Sequence, residues 1–419
     1  MNAPRRALIA TVTLASACRP GEPAREPGPA IPTGREPLVR VGVIVDQPEA
    51  RVGAPGAFEL HVAGGERLAS GRSGEQWAVR AVNGMLEAST DDGRTTGPIQ
   101  APLRVSATAG IITIGERSYH GDALITARSN DAVTVVNALA LETYLRGVVP
   151  HEIGRRPPAE IEAVKAQAVA ARTYAIGNMG ARSAFGFDFF ATVQDQVYGG
   201  IGDEDSVANR AIAETRGVVA TWQGRPIIAY YSSTCGGRTA SIRDAWPWRP
   251  EAPYLRSVSD RIPGSDRAYC DASSRYRWTT TWTRSQLLEV LAGTLTAHKG
   301  RTPGAVNRVE RIALTNHSGT GTVSVDVRVD GQDYHVPADS VRWVLRPHPG
   351  AAILNSARIT ELHPQMSSGE VTGLHVQGTG WGHAVGMCQF GAIGRAREGQ
   401  SHRRILETYY TGIDLTDLY

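Results

Sequence analysis

The chain has 419 residues, of which 41% are hydrophobic and 20% charged, and its formal net charge is +3. This length suits one large domain or two ordinary ones, and this composition is that of a folded globular protein, which excludes a disordered chain. So small a net charge gives no support for nucleic-acid binding and only weak support for an acidic polymer as substrate.

The first eighteen residues have the pattern of an export signal. Arg5 and Arg6 precede an apolar run that is too short to span a bilayer, and small residues lead from it to Cys18. The letters LASAC resemble a bacterial lipoprotein cleavage box, although Ala15 stands where the usual box carries Leu. We predict a signal at 1–18 with lipidation of Cys18; the alternative is an ordinary secretory signal with a chance cysteine.

A stretch rich in Pro, Gly and Glu at 19–37 is predicted to be a tether. From 38 to 136 the sequence is strand-like, with β-branched runs separated by Gly, Asp and Asn turns. We therefore expect an N-terminal β-rich subdomain at 38–136, followed by a core at 137–419.

A long helix is predicted at 159–179. The segment has no Pro and no Gly before Gly177, and the two prolines at 157–158 suit a helix entry. Apolar residues recur at steps of three and four and mark one buried face: Ile161, Val164, Ala168, Ala171 and Ala175. Because the many alanines permit close packing, we expect this helix to be central.

Later elements follow from shorter signals. Helices are predicted at 206–215 and 402–410, and hairpins with a Gln-Gly turn after residue 222 and an Asp-Gly turn at 330–331. The stretch at 245–300, with its aromatic and proline residues, is predicted to be a loop-rich insertion that covers the core.

Glu152 is the first candidate for chemistry. It lies at a turn between two helical segments, and a carboxyl in an apolar surround has a raised pKa and can donate a proton near neutral pH. The alternative is a carboxylate that complements the amides of a helix start. His151 is interpreted as a surface or packed histidine. The polar residues of the 159–179 helix are interpreted as its solvated side, and the alternative is a groove for a polar ligand: Lys165, Gln167, Arg172 and Tyr174.

Two further segments have a composition typical of binding loops. At 232–239 a cluster of hydroxyl residues and Cys235 is followed by two glycines, which let the backbone approach a ligand closely. The segment has no nucleophile-elbow motif. A catalytic thiol dyad of Cys235 with His383 is disfavoured. At 380–389 glycines alternate with Trp, His and Gln. Ordering such a loop is costly in conformational entropy, which is typical of a binding site. Its Trp is an aromatic platform on which a sugar ring can stack.

Three cysteines follow the export signal: Cys235, Cys270 and Cys388. An oxidising compartment favours one disulfide and one leftover thiol. Three thiolates with a fourth ligand such as His383 are the alternative, a zinc site, although the spacing matches no zinc motif.

Four blocks, at 141–174, 193–200, 214–239 and 380–392, together resemble the stage II sporulation protein D (SpoIID/LytB) family, which includes amidase enhancers. They occur in the family's order. The resemblance implies an α+β fold, with short antiparallel strands around a small helical core and an N-terminal β subdomain.

The resemblance also implies a peptidoglycan lytic transglycosylase. Such enzymes cleave the bond between N-acetylmuramic acid and N-acetylglucosamine, preferring strands without stem peptides, and leave 1,6-anhydro ends. The family's catalytic glutamate follows a Gly-Val-Val, which matches Glu152. The alternatives are a non-catalytic glycan-binding enhancer of an amidase and, more weakly, a zinc- or thiol-dependent hydrolase.

The motifs also lead to expectations for the substrate-binding residues, the cysteines and the partners. Motif position implies substrate contacts from Arg172, Tyr174, Gln196, Tyr198, Ser232, Ser233, His383 and Gln389. A Cys235–Cys270 disulfide is the preferred pairing. The Cys and His residues that some members carry before the Gln-Val-Tyr tripeptide are absent here, so that particular zinc site is expected to be absent. The expected site has no metal and no cofactor. The expected partners are glycan strands and a cell-wall amidase, with no nucleic acid. The protein is expected in the cell envelope, attached to the membrane only through a lipid on Cys18.

Overall fold

Residues 34–100, 102–128, 131–299, 305–315 and 321–419 are described by a computed structural model of the protein. The predicted signal at 1–18, the lipidation of Cys18 and most of the tether at 19–37 lie outside these residues. In the described ranges, no helix combines the length and the apolar character that crossing a bilayer requires.

The N-terminal part of the described chain is built from strands. They form two sheets with the orders β13-β1-β12-β11-β8-β3-β4 and β10-β9-β2-β5-β6-β7. In β5, for example, Trp77, Val79 and Ala81 are buried while Arg80 is exposed, the alternation that one buried sheet face requires. The strands are β1 (Leu38–Gln47), β2 (Glu49–Gly53), β3 (Phe58–Val62), β4 (Arg67–Gly71), β5 (Gln76–Val82), β6 (Met85–Ser89), β7 (Thr95–Ile99), β8 (Leu103–Ala107), β9 (Ile111–Ile114), β10 (Arg117–His120), β11 (Asp122–Ala127), β12 (Val133–Ala140) and β13 (Phe189–Phe190).

A helical core follows, with α3 at its centre. The α3 helix (Ile161–Asn178) begins after a 3-10 turn at Pro158–Glu160, close to the predicted bounds of 159–179. Its alanines are buried, and their small side chains let other elements pack closely against it. The other helices of the core are α1 (Leu141–Arg146), α2 (Val149–Ile153), α4 (Ser206–Glu214), α8 (Gln389–Arg397) and α9 (His402–Tyr409).

Short strands connect the core. A sheet with the order β15-β14-β24 contains the predicted Gln-Gly hairpin, and β16 pairs in parallel with β23. Further short helical turns are α5 (Ile242–Ala245), Ser183–Phe185 and Ile201–Asp203. The strands are β14 (Val218–Trp222), β15 (Arg225–Pro226), β16 (Tyr231–Ser232), β23 (Met387–Cys388) and β24 (Asp414–Asp417).

A second unit, with its own hydrophobic core, lies between residues 277 and 379. Its first and last strands pair with each other, so that Arg277 lies opposite Thr379. It contains β17 (Arg277–Thr283), α6 (Arg284–Lys299), β18 (Val309–Thr315), β19 (Ser324–Val329), β20 (Gln332–Val336), α7 (Val341–Val344), β21 (Ile359–Ser367) and β22 (Glu370–Thr379).

The stretch at 245–300 differs from the loop-rich expectation in its second half. Turns and isolated bridges do occupy it up to Tyr276, but β17 and α6 then form regular structure. Leu287, Leu291 and Leu295 are buried at four-residue spacing, a helix signal that the composition of the stretch obscured. The predicted α+β fold class, with short antiparallel strands and a few helices, is confirmed.

Candidate active site

Glu152 lies on α2, a single helical turn with Pro150 at its start. Gly154, at φ +75°, ends the turn in a conformation that favours glycine. Gly147, just before it, allows close contact, since a Cβ there would lie 2.7 Å from the Tyr198 ring. The two glycines thus allow the tight, closely packed turn that carries Glu152.

The Glu152 carboxyl combines desolvation with two neutral hydrogen-bond partners. The residue keeps part of its surface exposed, but protein atoms crowd around the carboxyl group. This desolvation raises the pKa of Glu152 to about 7, although hydrogen bonds with Tyr231 and Gln389 act in the opposite direction. Near neutral pH the group can therefore hold or release a proton.

Buried side chains fix both partners of Glu152. Gln196 donates from Nε2 to the Tyr231 hydroxyl oxygen at 3.1 Å, so the hydroxyl proton of Tyr231 is left for the carboxylate. Gln389 donates from Nε2 to Oε1 of Gln167 at 3.2 Å. Tyr144 donates to Oε1 of Gln196 at 3.3 Å. The donors to Glu152 are thus preorganised by a second layer of amide and phenol groups.

The pairing of β16 with β23 brings these partners together from distant parts of the chain. Tyr231 lies opposite Met387, and Gln389 follows β23 directly. Gly386 makes the approach possible, because it has φ +71° and a Cβ there would lie 2.0 Å from the Tyr230 carbonyl oxygen. Packing of the loop against β16 thus explains at least this glycine of the 380–389 segment.

Two predicted substrate contacts are structural instead. Arg172 is fully buried and donates to both carboxylate oxygens of Glu142, at 2.8 and 2.7 Å. Tyr198 is buried as well and donates to Oδ1 of Asn137 at 2.9 Å. In this structure the partners of both polar side chains are remote in sequence.

Gln196 and His383 also differ from the expected contact with substrate. Gln196 is almost fully buried and acts through Tyr231. His383 packs against Trp246, with ring centroids 4.9 Å apart, and accepts a hydrogen bond at Nδ1 from the Val385 amide at 3.0 Å. Burial lowers the pKa of His383 to about 4, so it is neutral near pH 7.

Tyr174, Ser232 and Ser233 remain candidates for ligand contacts. The Tyr174 ring is partly exposed and meets Tyr231 edge-on, with centroids 6.4 Å apart. Ser232 is buried, with only 7% of its surface exposed. Its hydroxyl nevertheless has no hydrogen-bond partner within the described chain. Ser233 Oγ lies 3.3 Å from the Thr234 hydroxyl. A polar ligand can supply the partner that the buried Ser232 hydroxyl requires.

Sequence reasoning missed Tyr231 and misjudged Gln167. Tyr231 immediately precedes the hydroxyl cluster at 232–239, and this position at a strand end was the available signal. Gln167 was interpreted as solvated, but it is fully buried and binds Gln389. Lys165 does lie towards the surface, paired with Glu162 and Glu214 at 2.7 Å each.

The cysteines differ from the predicted pairing. Cys235, Cys270 and Cys388 are free, buried thiols, and the sulfur atoms of Cys235 and Cys270 lie 3.7 Å apart, whereas a disulfide bond measures about 2.05 Å. The predicted Cys235–Cys270 disulfide is therefore not formed in this structure. Cys388, for which the sequence suggested no partner, lies in the same cluster, together with Asp260.

Two family models match the chain. A stage II sporulation protein model matches residues 129–222, which include Glu152, α3 and Gln196. A domain of unknown function (DUF8618) matches residues 265–386, which include the second unit.

Curated relatives extend the match over most of the chain. An uncharacterized protein of Brachyspira hyodysenteriae is 30% identical over 308 residues, 73% of this chain and 74% of the relative. The amidase enhancer of Bacillus subtilis is 29% identical over 309 residues, 65% of this chain but 40% of the relative. Stage II sporulation protein D of Bacillus amyloliquefaciens is 30% identical over 305 residues, 67% of this chain and 76% of the relative. Together with the motifs at 141–239 and 380–392, these similarities confirm that the chain belongs to the stage II sporulation protein D family.

Proposed function

We propose that the protein is a lytic transglycosylase that cleaves peptidoglycan glycan strands, with Glu152 as its acid and base. The observation that carries the proposal is the state of this carboxyl, which is desolvated, has a pKa of about 7 and is held by two neutral donors. A group with a pKa near the working pH is suited to donate a proton and then to accept one.

Two proton transfers at Glu152 complete the reaction. Protonated Glu152 donates to the glycosidic oxygen as the bond from that oxygen to the muramyl anomeric carbon breaks. The resulting carboxylate takes the proton from the muramyl C6 hydroxyl, whose oxygen bonds to the anomeric carbon. The products are a 1,6-anhydro-muramyl end and a new N-acetylglucosamine end, and no water is consumed. Hydrogen bonds from Tyr231 and Gln389 stabilise the carboxylate between the two steps.

Neutral surroundings favour this reaction over ordinary hydrolysis. Most glycosidases use two carboxyl groups, one on each side of the scissile bond. In the described part of the chain, the side chains that bind the Glu152 carboxyl belong to a tyrosine and a glutamine. Intramolecular attack by the C6 hydroxyl needs no second carboxylate to activate a water molecule.

Substrate, partner and location follow as parts of the same proposal. The substrate is a glycan strand freed of stem peptides, which contacts Tyr174 and the hydroxyls of Ser232 and Ser233. The amidase partner is proposed from the name of the B. subtilis relative, of which this chain spans 40%. The proposed location is the cell envelope, after export and with a lipid on Cys18.

A second candidate function is a glycan-binding enhancer of an amidase without cleavage of its own, which the name of the same relative favours. In that role Glu152 is a polar contact to the sugar. The two functions differ in whether the purified protein alone produces new glycan ends.

Mass spectrometry of peptide-free glycan strands tests the proposal. We would incubate the strands with wild type, with Glu152→Gln and with Glu142→Gln, a control that removes a buried carboxylate elsewhere. Anhydro-muramyl ends from wild type and the control, but not from Glu152→Gln, would support the proposal. Hydrated reducing ends would identify a hydrolase, and binding without cleavage by wild type would identify the enhancer.

A further inference from the structure

A cluster of four potential metal ligands lies apart from Glu152. The sulfur atoms of Cys235, Cys270 and Cys388 and a carboxylate oxygen of Asp260 all lie within 4.8 Å of one another, and all four residues are buried. Sequence spacing does not reveal this set, because Asp260 belongs to no motif and the cysteines are 35 and 118 residues apart.

We propose that Cys235, Asp260, Cys270 and Cys388 bind one zinc ion in a closed, tetrahedral structural site. Bonds of about 2.3 Å to sulfur and 2.1 Å to oxygen place neighbouring ligands of a tetrahedron about 3.8 Å apart for two sulfurs and about 3.6 Å for sulfur and oxygen. The Cys235 sulfur lies 3.7 Å from that of Cys270 and 3.5 Å from Oδ2 of Asp260. These separations already match the edges of a zinc tetrahedron.

The Asp260 carboxylate is oriented as a metal ligand requires. Its Oδ1 accepts hydrogen bonds from the Tyr409 hydroxyl at 2.6 Å and from Arg395 Nη2 at 3.2 Å. Oδ2 is thereby turned towards the thiols. Outer partners that fix one oxygen of a ligating carboxylate are a regular feature of protein metal sites.

Two backbone amides point at the Cys388 sulfur and would stabilise it as a metal ligand. This sulfur accepts hydrogen bonds from the backbone amides of Cys235 at 3.2 Å and of Gly391 at 3.3 Å. Cys388 is also the N-cap of α8, where the helix dipole favours negative charge. Backbone amides thus disperse the charge that a metal-bound sulfur carries.

A disulfide is a poorer match to the whole cluster. It would join two of the sulfurs and leave the third thiol and the Asp260 carboxylate buried beside it. The cationic partner of that carboxylate would be Arg395. One zinc ion engages all four side chains, and three thiolate ligands are a set that zinc prefers.

The proposed ion would join the segments that surround Glu152. Cys235 follows β16, which carries Tyr231, and Cys388 ends β23, directly before Gln389. Cys270 and Asp260 come from the loop that precedes β17. Because the four protein ligands fill a tetrahedron, the site is structural and leaves no position for a reacting water. Any effect of the zinc ion on glycan cleavage rests on the proposed function, whereas the proposal that zinc binds here is independent of it.

Metal analysis of the full exported chain, purified from the host envelope without added metal, tests the proposal first. We expect about one zinc per chain and three cysteines that react with an alkylating reagent only after denaturation with a chelator. The proposal would be overturned by a metal-free protein that is two mass units lighter and alkylates once, which is a disulfide. Three free thiols that take up no added zinc would overturn it equally.

Substitution of Asp260 separates the zinc site from other thiol clusters. Asp260→Asn keeps an acceptor for Tyr409 and removes the anionic ligand, so we expect zinc affinity, measured by chelator competition, to fall at least about tenfold. Asp339→Asn is the matched control, since Asp339 is also buried and pairs with Arg342 at 3.2 Å. Equal zinc affinity in wild type and Asp260→Asn would remove Asp260 from the site.

Cobalt provides a spectroscopic readout that does not depend on glycan cleavage. Wild type reconstituted with Co²⁺ is expected to show thiolate-to-cobalt charge-transfer absorption, which Cys388→Ser weakens. Glu152→Gln is expected to keep full metal content, so a protein that binds zinc but cleaves nothing would contradict the proposed function alone. A cobalt spectrum without thiolate bands in wild type would contradict the zinc site alone.

Discussion

Glu142 and Glu152 are ten residues apart on neighbouring helices, yet their surroundings move their pKa values in opposite directions. Both are desolvated by the protein. Glu142 has Arg172 against both of its carboxylate oxygens, and it also accepts hydrogen bonds from the Gly217 amide and the Tyr419 hydroxyl. These partners outweigh desolvation and hold the pKa of Glu142 below its ordinary value.

Glu152 has neutral partners, and desolvation therefore prevails and raises its pKa to about 7. The comparison teaches that burial alone does not identify a catalytic acid. A cation that satisfies the carboxylate makes a structural ion pair, whereas neutral donors leave a carboxyl poised between its two states. Four measurements test this difference between Glu142 and Glu152.

The largest expected effect is on cleavage. Glu152→Gln keeps the size of the side chain but cannot transfer the proton, so we expect cleavage to fall about 10³-fold. Initial rates of anhydro-end formation provide the measurement. A variant that keeps more than about a tenth of the wild-type rate would exclude Glu152 as the acid.

Glu142→Gln is expected to affect stability instead. It leaves Arg172 buried without its anion, which costs about 3–5 kcal/mol in free energy of unfolding. Urea denaturation at pH 7 measures this loss, and cleavage per folded molecule should stay near wild type. Because the pKa of Glu142 is lowered, the contribution of this carboxylate is present above its unfolded pKa and fades as pH falls through the folded value. A destabilisation that does not shrink in acid would contradict the ion-pair account.

Glu152→Gln should have the opposite stability effect. A folded pKa of about 7 against an ordinary value of 4.5 means that wild type loses stability as pH rises through this window. The variant should therefore be more stable than wild type by about 3 kcal/mol at pH 8, and by less than about 1 kcal/mol at pH 5. Urea denaturation at the two pH values measures the difference. Equal stability at pH 8 would show that the carboxyl is well solvated.

The smallest effect is expected from Tyr231→Phe. Loss of this hydroxyl removes a hydrogen bond that lowers the pKa of Glu152, so the alkaline limb of the cleavage profile should move to higher pH. The rate at neutral pH should fall about tenfold, because the carboxylate formed in the reaction is less stabilised. Tyr198→Phe is the control, since that hydroxyl binds Asn137. An unmoved limb in Tyr231→Phe would remove Tyr231 from the site.

Local signals in the sequence predicted much of the fold. Alanine spacing predicted α3, the Gln-Gly and Asp-Gly dipeptides predicted their hairpins, and the helices predicted at 206–215 and 402–410 correspond to α4 and α9. Each of these depends on contacts or conformations within a few residues. Such information is present in any short window of sequence.

The failures concern partners that are remote in sequence. Arg172 and Gln167 lie on the same helix as residues that reach solvent, and their burial follows from Glu142 and Gln389, which are 30 and 222 residues away. Asp260 joins one cysteine that precedes it by 25 residues and two that follow it by 10 and 128. Spacing within a motif cannot reveal these neighbours, because tertiary packing creates them.

The pairing of Arg277 with Thr379 places both ends of the second unit in adjacent strands. The chain therefore enters and leaves the unit at one place, and the unit also contacts the core through hydrogen bonds from Trp246 to Asp339 and from the Gly382 amide to the Asn355 carbonyl oxygen. In engineering terms, a short turn from residue 277 to 379 defines the smallest excision.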